Sequence, residues 1–190
     1  AAGLPLEDAV RDCWASLFSA NATRYRRGRG TPPSGMAVVI QAQINPISAG
    51  VMFTINPLTG SWNEMTIEAA WGVGDSVVSG QIVPDLYRVR RPRRSPRMVG
   101  GLLARMRLKV IDSQVREQCS AIHVSDGGIA QSPVPRDQRS LEKLNDEQLI
   151  RLCRLGLWVE ALLGDPQDIE WAMKSNGELV LLQARPITTA

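Results

Sequence analysis

The residues best suited to chemistry lie near the C-terminal end of the chain. Asp168-Ile-Glu-Trp-Ala-Met173 is followed by Asn176-Gly177 and then by Leu179-Val-Leu-Leu-Gln-Ala-Arg185. Ile169, Trp171 and Met173 alternate with Asp168, Glu170 and Ala172, the period of a strand with one buried and one accessible face. Asn176-Gly177 supplies a hairpin turn. Across that hairpin Glu170 and Gln183 can share a sheet face, with Arg185 further along β-spacing and pointing the same way. A carboxylate and an amide oxygen suit Mg²⁺, which keeps several waters and takes its other ligands from substrate phosphates. The planar fork of Arg185 suits a pair of phosphate oxygens. From geometry alone, the same residues also make a structural hairpin whose Glu–Arg pair is a surface ion pair of small energetic worth.

Such a hairpin needs a sheet and a core behind it. Apolar residues make up 44 % of the 190-residue chain and charged residues 22 %, a globular balance. No apolar run approaches the roughly 18 residues of a membrane span, and no basic segment followed by an apolar one opens the chain. Cys13, Cys119 and Cys153 offer neither a disulfide framework nor a zinc spacing, so a reducing cytoplasm is expected. Leu6 to Tyr25 predicts one amphipathic helix whose stripe, Trp14 and Phe18 included, faces a core. Arg24, Arg26, Arg27 and Arg29 close it where cations favour the helix dipole.

Met36 to Ile44 predicts a strand buried on both faces, and Gly50 to Ile55 and Met65 to Ala70 predict two more. Trp71-Gly-Val-Gly-Asp75 follows the last of these; its glycines permit a close approach to phosphate, and equally a tight turn. Asn145 and Gln148 mark a capping box for a helix whose apolar face includes Leu149, Leu152, Cys153, Leu157, Trp158 and Leu162. Arg88, Arg90, Arg91, Arg93, Arg94 and Arg97 crowd ten residues. They lack interleaved aromatics, and the net charge is only +3, so they are read as a solvated hairpin loop rather than a nucleic-acid surface. His123, the only histidine, sits in the strand-like run Ala121-Ile-His-Val124 with no nucleophile or metal partner in sequence.

Asp168-Ile-Glu-Trp-Ala with Leu182-Gln-Ala-Arg-Pro-Ile-Thr188 resembles the end of the nucleotide-binding domain of phosphoenolpyruvate synthase, pyruvate, phosphate dikinase and rifampin phosphotransferase. Met36-Ala-Val-Val-Ile-Gln-Ala-Gln-Ile-Asn-Pro46, Ala49-Gly-Val-Met-Phe-Thr54 and Trp71-Gly-Val-Gly-Asp-Ser-Val-Val-Ser-Gly-Gln-Ile-Val-Pro-Asp85 agree with it in order and spacing. Trp14-Ala-Ser-Leu-Phe18 and Arg24-Tyr-Arg26 resemble the helix that precedes the hinge strand in these enzymes. The similarity spans nearly the whole chain and is weakest from about Arg90 to Gly164. Asp75 stands where relatives usually have glutamate, and Leu162-Leu163-Gly164 where they commonly have His-Tyr-Gly.

This resemblance implies an α/β (α+β) fold, an ATP-grasp-like nucleotide-binding subdomain with a mixed, largely antiparallel sheet and flanking helices. Residues 1–190 are then a single partial domain, with a leading helix over 1–30 and the ATP-grasp-like subdomain over 36–190. It implies ATP and Mg²⁺ as ligands. The backbone near Gln41 and Gln43 would meet the adenine edge, although both residues also suit ordinary strand hydrogen bonding. Glu170 and Gln183 would hold Mg²⁺, Asp168 would support the metal site from the neighbouring turn or from just behind its ligands, and Arg185 would act catalytically by neutralising phosphate charge. Mg²⁺-ATP would phosphorylate a mobile histidine in a downstream domain, and the histidine would pass its phosphoryl group to a small acceptor. The family's lysine, arginine and Ser/Thr-rich loop from the first half of the domain are not in this sequence, so an isolated chain inactive in turnover is expected. A non-catalytic nucleotide-binding or regulatory module, and a basic interaction domain built on Arg88 to Arg97, stand as the alternatives.

Overall fold

A computed structural model describes residues 5–30, 35–74, 77, 82–91, 107–125 and 128–187. The chain divides into two compact units, Ala1–Gln43 with Ser125–Gly128, and Ile44–Val124 with Ile129–Ala190.

The second unit is organised by a six-stranded sheet. Its strands are β1 (Ser48–Phe53), β2 (Glu64–Trp71), β3 (Asp85–Arg90), β4 (Lys109–Gln114), β7 (Gln167–Met173) and β8 (Leu179–Pro186). They lie in the order β4-β3-β2-β1-β7-β8, and every neighbouring pair is antiparallel. Between β4 and β7 in the chain, β5 (Ser120–Ser125) and β6 (Gly128–Pro133) pair as a separate two-stranded sheet. Among the described residues the one parallel pairing is the isolated bridge Gly72 to Ile122, so the expected mixed sheet is antiparallel throughout its six strands. Gly72 is required at that bridge: its φ is +81°, and a Cβ there would lie 2.2 Å from the Ile122 carbonyl oxygen.

Strand alternation gives the sheet two chemically distinct faces. Met65, Ile67 and Ala69 of β2, Tyr87 and Val89 of β3, and Ile169, Trp171 and Met173 of β7 turn to one side and are buried. A long helix, Asp146–Leu163, covers that side with Leu149, Leu152, Cys153 and Leu157. Each large apolar side chain fully buried in this way contributes roughly 1.5–3 kcal/mol. The helix starts as expected. The Asn145 side chain accepts from the Gln148 backbone N–H at 2.9 Å, and the Gln148 side chain accepts from the Asn145 N–H at 2.8 Å. Its buried face is narrower than the sequence suggests, because Trp158 and Leu162 are 54 % and 67 % exposed.

Two buried ion pairs fasten this unit. Lys143 and Asp85 meet at 3.0 Å, and both are almost wholly enclosed. Tyr87 donates to the same aspartate at 2.8 Å, and Lys143 Nζ also donates to the Arg116 carbonyl at 2.7 Å. Burial and the Asp85 carboxylate push the Tyr87 hydroxyl well above its ordinary pKa. Arg91 grips Glu160 of the long helix bidentately at 2.8 and 2.9 Å and donates to the Thr54 carbonyl at 2.6 Å. This corrects the solvated-loop reading of the arginine cluster. Arg88 and Arg90 belong to β3, Arg91 is buried, and Arg93, Arg94 and Arg97 lie outside the described residues.

The first unit departs more from expectation. The predicted single helix is two, α1 (Leu6–Ser16) and α2 (Ala20–Arg29), because the Ser19 hydroxyl accepts from the Ala22 N–H and caps a new start. Its aromatic stripe does not form a core: Trp14, Phe18 and Tyr25 are all more than half exposed. Residues 35–46 have no strand, and Met36, Val39 and Ile40 are exposed. An apolar β-branched run states a preference for pairing and becomes a strand only where a neighbouring edge accepts its hydrogen bonds.

Candidate functional site

The sheet face opposite the long helix is where polar groups collect. Its geometry depends on the β7–β8 hairpin. Residues Lys174 to Glu178 make the turn, with Gly177 at φ +79° and the Lys174 N–H donating to the Glu178 carbonyl at 2.9 Å. In strict alternation Leu179, Leu181, Gln183 and Arg185 would all share one face. They do not, because the register shifts between Glu170 and Trp171: Trp171 opposes Leu181, whereas Glu170 opposes Gln183. Leu182 is the extra residue of this bulge. Leu179 and Leu181 therefore pack on the core, and Gln183 and Arg185 turn to the open face with Glu170 and Asp168.

Glu170 and Gln183 stand directly opposite one another, as expected from the sequence. Asp168 and Arg185 form the next matched pair, with Arg185 Nε donating to Asp168 Oδ2 at 2.8 Å. Asp168 thus lies within β7 and not in a neighbouring turn. Its side chain is only 12 % exposed against 59 % for Arg185. The Asp168 hydrogen bond and charge, followed by Glu170, raise the Arg185 pKa further above its ordinary value, so the guanidinium is permanently charged.

Sequence reasoning missed Glu68. The register runs Glu68, Val51, Glu170, Gln183 across four adjacent strands, which places Glu68 on the open face in the same row as the hairpin pair. Burial, and after it the charge of Asp168, push its carboxyl above the ordinary range. The signal was available in β2, where Thr66 and Glu68 alternate with Met65, Ile67 and Ala69.

The oxygen donors that a hard cation could use on the open face are few. Glu170 supplies a carboxylate and Gln183 an amide oxygen, directly opposite one another on β7 and β8. No cluster of three or more His, Cys, Asp or Glu among the described residues is arranged to hold a metal ion. A cation here would rest on the Glu170–Gln183 pair, with water and phosphate oxygens completing its shell.

Gln41 and Gln43 fall in the first unit, on exposed irregular backbone. Asp75 lies outside the described residues. His123 does lie in a strand, β5, and lines an open crevice of about 300 Å³ with Ile47, Trp71, Pro133 and Gln138; no residue of the β7–β8 hairpin lines it. Among the described residues, no helix is long and apolar enough to cross a membrane.

Residues 5–190 match the family of the pyruvate phosphate dikinase AMP/ATP-binding domain. The chain is 36 % identical over 183 residues to a probable phosphoenolpyruvate synthase of Methanocaldococcus jannaschii, covering 95 % of this chain and 14 % of that protein. It is 37 % identical over 185 residues to the phosphoenolpyruvate synthase of Pyrococcus furiosus, covering 96 % and 22 %. To the rifampicin phosphotransferase of Streptomyces sviceus it is 36 % identical over 182 residues, covering 95 % and 19 %. The chain therefore spans less than a quarter of the length of each of these relatives.

Proposed function

Because the chain belongs to the pyruvate phosphate dikinase AMP/ATP-binding domain family, we propose that it is the Mg²⁺-ATP-binding part of a phosphotransferase of the phosphoenolpyruvate synthase or rifampicin phosphotransferase type. The observation that carries this reading is the matched hairpin, in which Glu170 opposes Gln183 and Asp168 opposes Arg185 on one open face. Glu170 and Gln183 would hold Mg²⁺, which when bound neutralises phosphate charge and orients the phosphoryl group. Arg185, permanently charged and 59 % exposed, meets the negative oxygens of that group and stabilises the charge they carry in transfer.

In the complete enzyme the acceptor of the first transfer is a mobile histidine in a further domain, and a small molecule takes the phosphoryl group from it. On this reading Glu170, Gln183 and Arg185 bind and orient the nucleotide, and none of them acts as a nucleophile. We therefore propose nucleotide binding as the part this chain plays, with turnover depending on groups supplied by the rest of the protein. Two observations weigh against a polyanion-binding surface on the arginine cluster. Arg88 is paired with Asp112 at 3.0 Å, and Arg91 is buried against Glu160.

Calorimetric titration with Mg²⁺-ATP tests the proposal. Saturable binding that weakens at least about tenfold in Glu170→Ala with Gln183→Ala is the expected result. Affinity unchanged in that double variant would refute the assignment of the metal and phosphate site.

A further inference from the structure

Arg185 sits near the end of β8, the edge strand of the sheet among the described residues, with the neighbouring strand β7 on one side. A long, exposed arginine in that position would ordinarily sample many rotamers. Here its backbone is pinned on both sides, since Ala184 pairs with Ile169 and the Ile187 N–H donates to the Pro166 carbonyl at 2.9 Å. Its side chain is held by Asp168, a carboxylate largely enclosed by the sheet. The contact is made through Nε alone. The terminal amino groups have no partner among the described residues and keep their fork of donors available. The other oxygen of Asp168, Oδ1, is sealed from solvent, so its accessible chemistry is already committed to the guanidinium.

We infer that Asp168 is the positioning residue of Arg185, fixing Nε before ligand arrives so that the terminal amino groups face a phosphoryl oxygen pair. This rests on the nucleotide reading above and refines it, because Asp168 then acts through the arginine and not on the cation. Preorganisation of this kind raises affinity by reducing the order that binding must impose.

A double-mutant cycle on the chain, with Mg²⁺-ATP dissociation constants as the readout, separates the two roles. Asp168→Ala is expected to weaken binding about fivefold when Arg185 is present and by less than about twofold in an Arg185→Ala background. Asp168→Asn, whose amide oxygen can still accept from Nε, is expected to recover most of the affinity. An Asp168→Ala effect of equal size in both backgrounds, or none in either, would overturn the inference. Arg185→Lys gives a check that does not require Asp168 variants to fold: it should bind as weakly as Arg185→Ala, since an ammonium cannot engage Asp168 and present a fork together. A lysine that restores affinity would also overturn it. If Arg185→Ala and Glu170→Ala both leave affinity untouched, the underlying nucleotide site fails; if they weaken it without coupling to Asp168, only the positioning role fails.

Discussion

Lys143–Asp85 and Arg185–Asp168 are both contacts between a cation and an aspartate, 3.0 and 2.8 Å long. In the first, the side chains are 1 % and 0 % exposed and the remaining donors and acceptors are taken up by Arg116, Tyr87 and backbone. In the second, the arginine is 59 % exposed and its terminal amino groups are uncommitted among the described residues. A charge that the protein has fully satisfied has nothing left to offer a ligand. Short distance alone does not separate architecture from chemistry; spare hydrogen-bonding capacity at an accessible face does.

The contrast predicts opposite consequences for stability and binding. Lys143→Met should cost about 3–5 kcal/mol in urea unfolding, because it strands the buried Asp85 charge. Glu160→Gln lies in between: Arg91 keeps one hydrogen bond but loses its charged partner, for a cost of about 1–3 kcal/mol by the same measurement. Arg185→Ala should cost less than about 1 kcal/mol of stability while weakening Mg²⁺-ATP. A large stability loss at Arg185, or a small one at Lys143, would erase the distinction.

The smallest effect concerns Glu68. Its carboxyl is raised in the folded chain above the ordinary 4.5. The stability associated with its protonated form is fully present below the unfolded value and is lost as pH rises through the folded one. Glu68→Gln should therefore raise Tm at pH 7 by an amount worth less than about 1 kcal/mol, with the gain vanishing below about pH 4.5. Thermal scans across that range check the sign.

Much of the site could be read from residue order. The alternation of Asp168 to Met173 and the Asn176-Gly177 turn encode the hairpin locally, so Glu170 opposite Gln183 followed from strand geometry. The bulge at Leu182 did not, since nothing in Leu179-Val-Leu-Leu marks which leucine is the extra one; packing of Leu179 and Leu181 on the core decides it. The burial of Arg91 was also hidden, because its partner Glu160 lies in a helix distant in sequence. Met36 to Ile44 misled for a related reason. Apolar β-branched character states a preference for pairing, and pairing depends on a neighbouring strand that local sequence does not specify.

The central claim, that the open face of the β7–β8 hairpin is a metal and phosphate site, is tested most directly by the thermal stability of the chain with and without Mg²⁺-ATP. Ligand at a hundred times its dissociation constant should add about 2.7 kcal/mol, raising Tm, and the rise should disappear in Glu170→Ala. A rise that survives Glu170→Ala unchanged would place the nucleotide elsewhere and contradict the account.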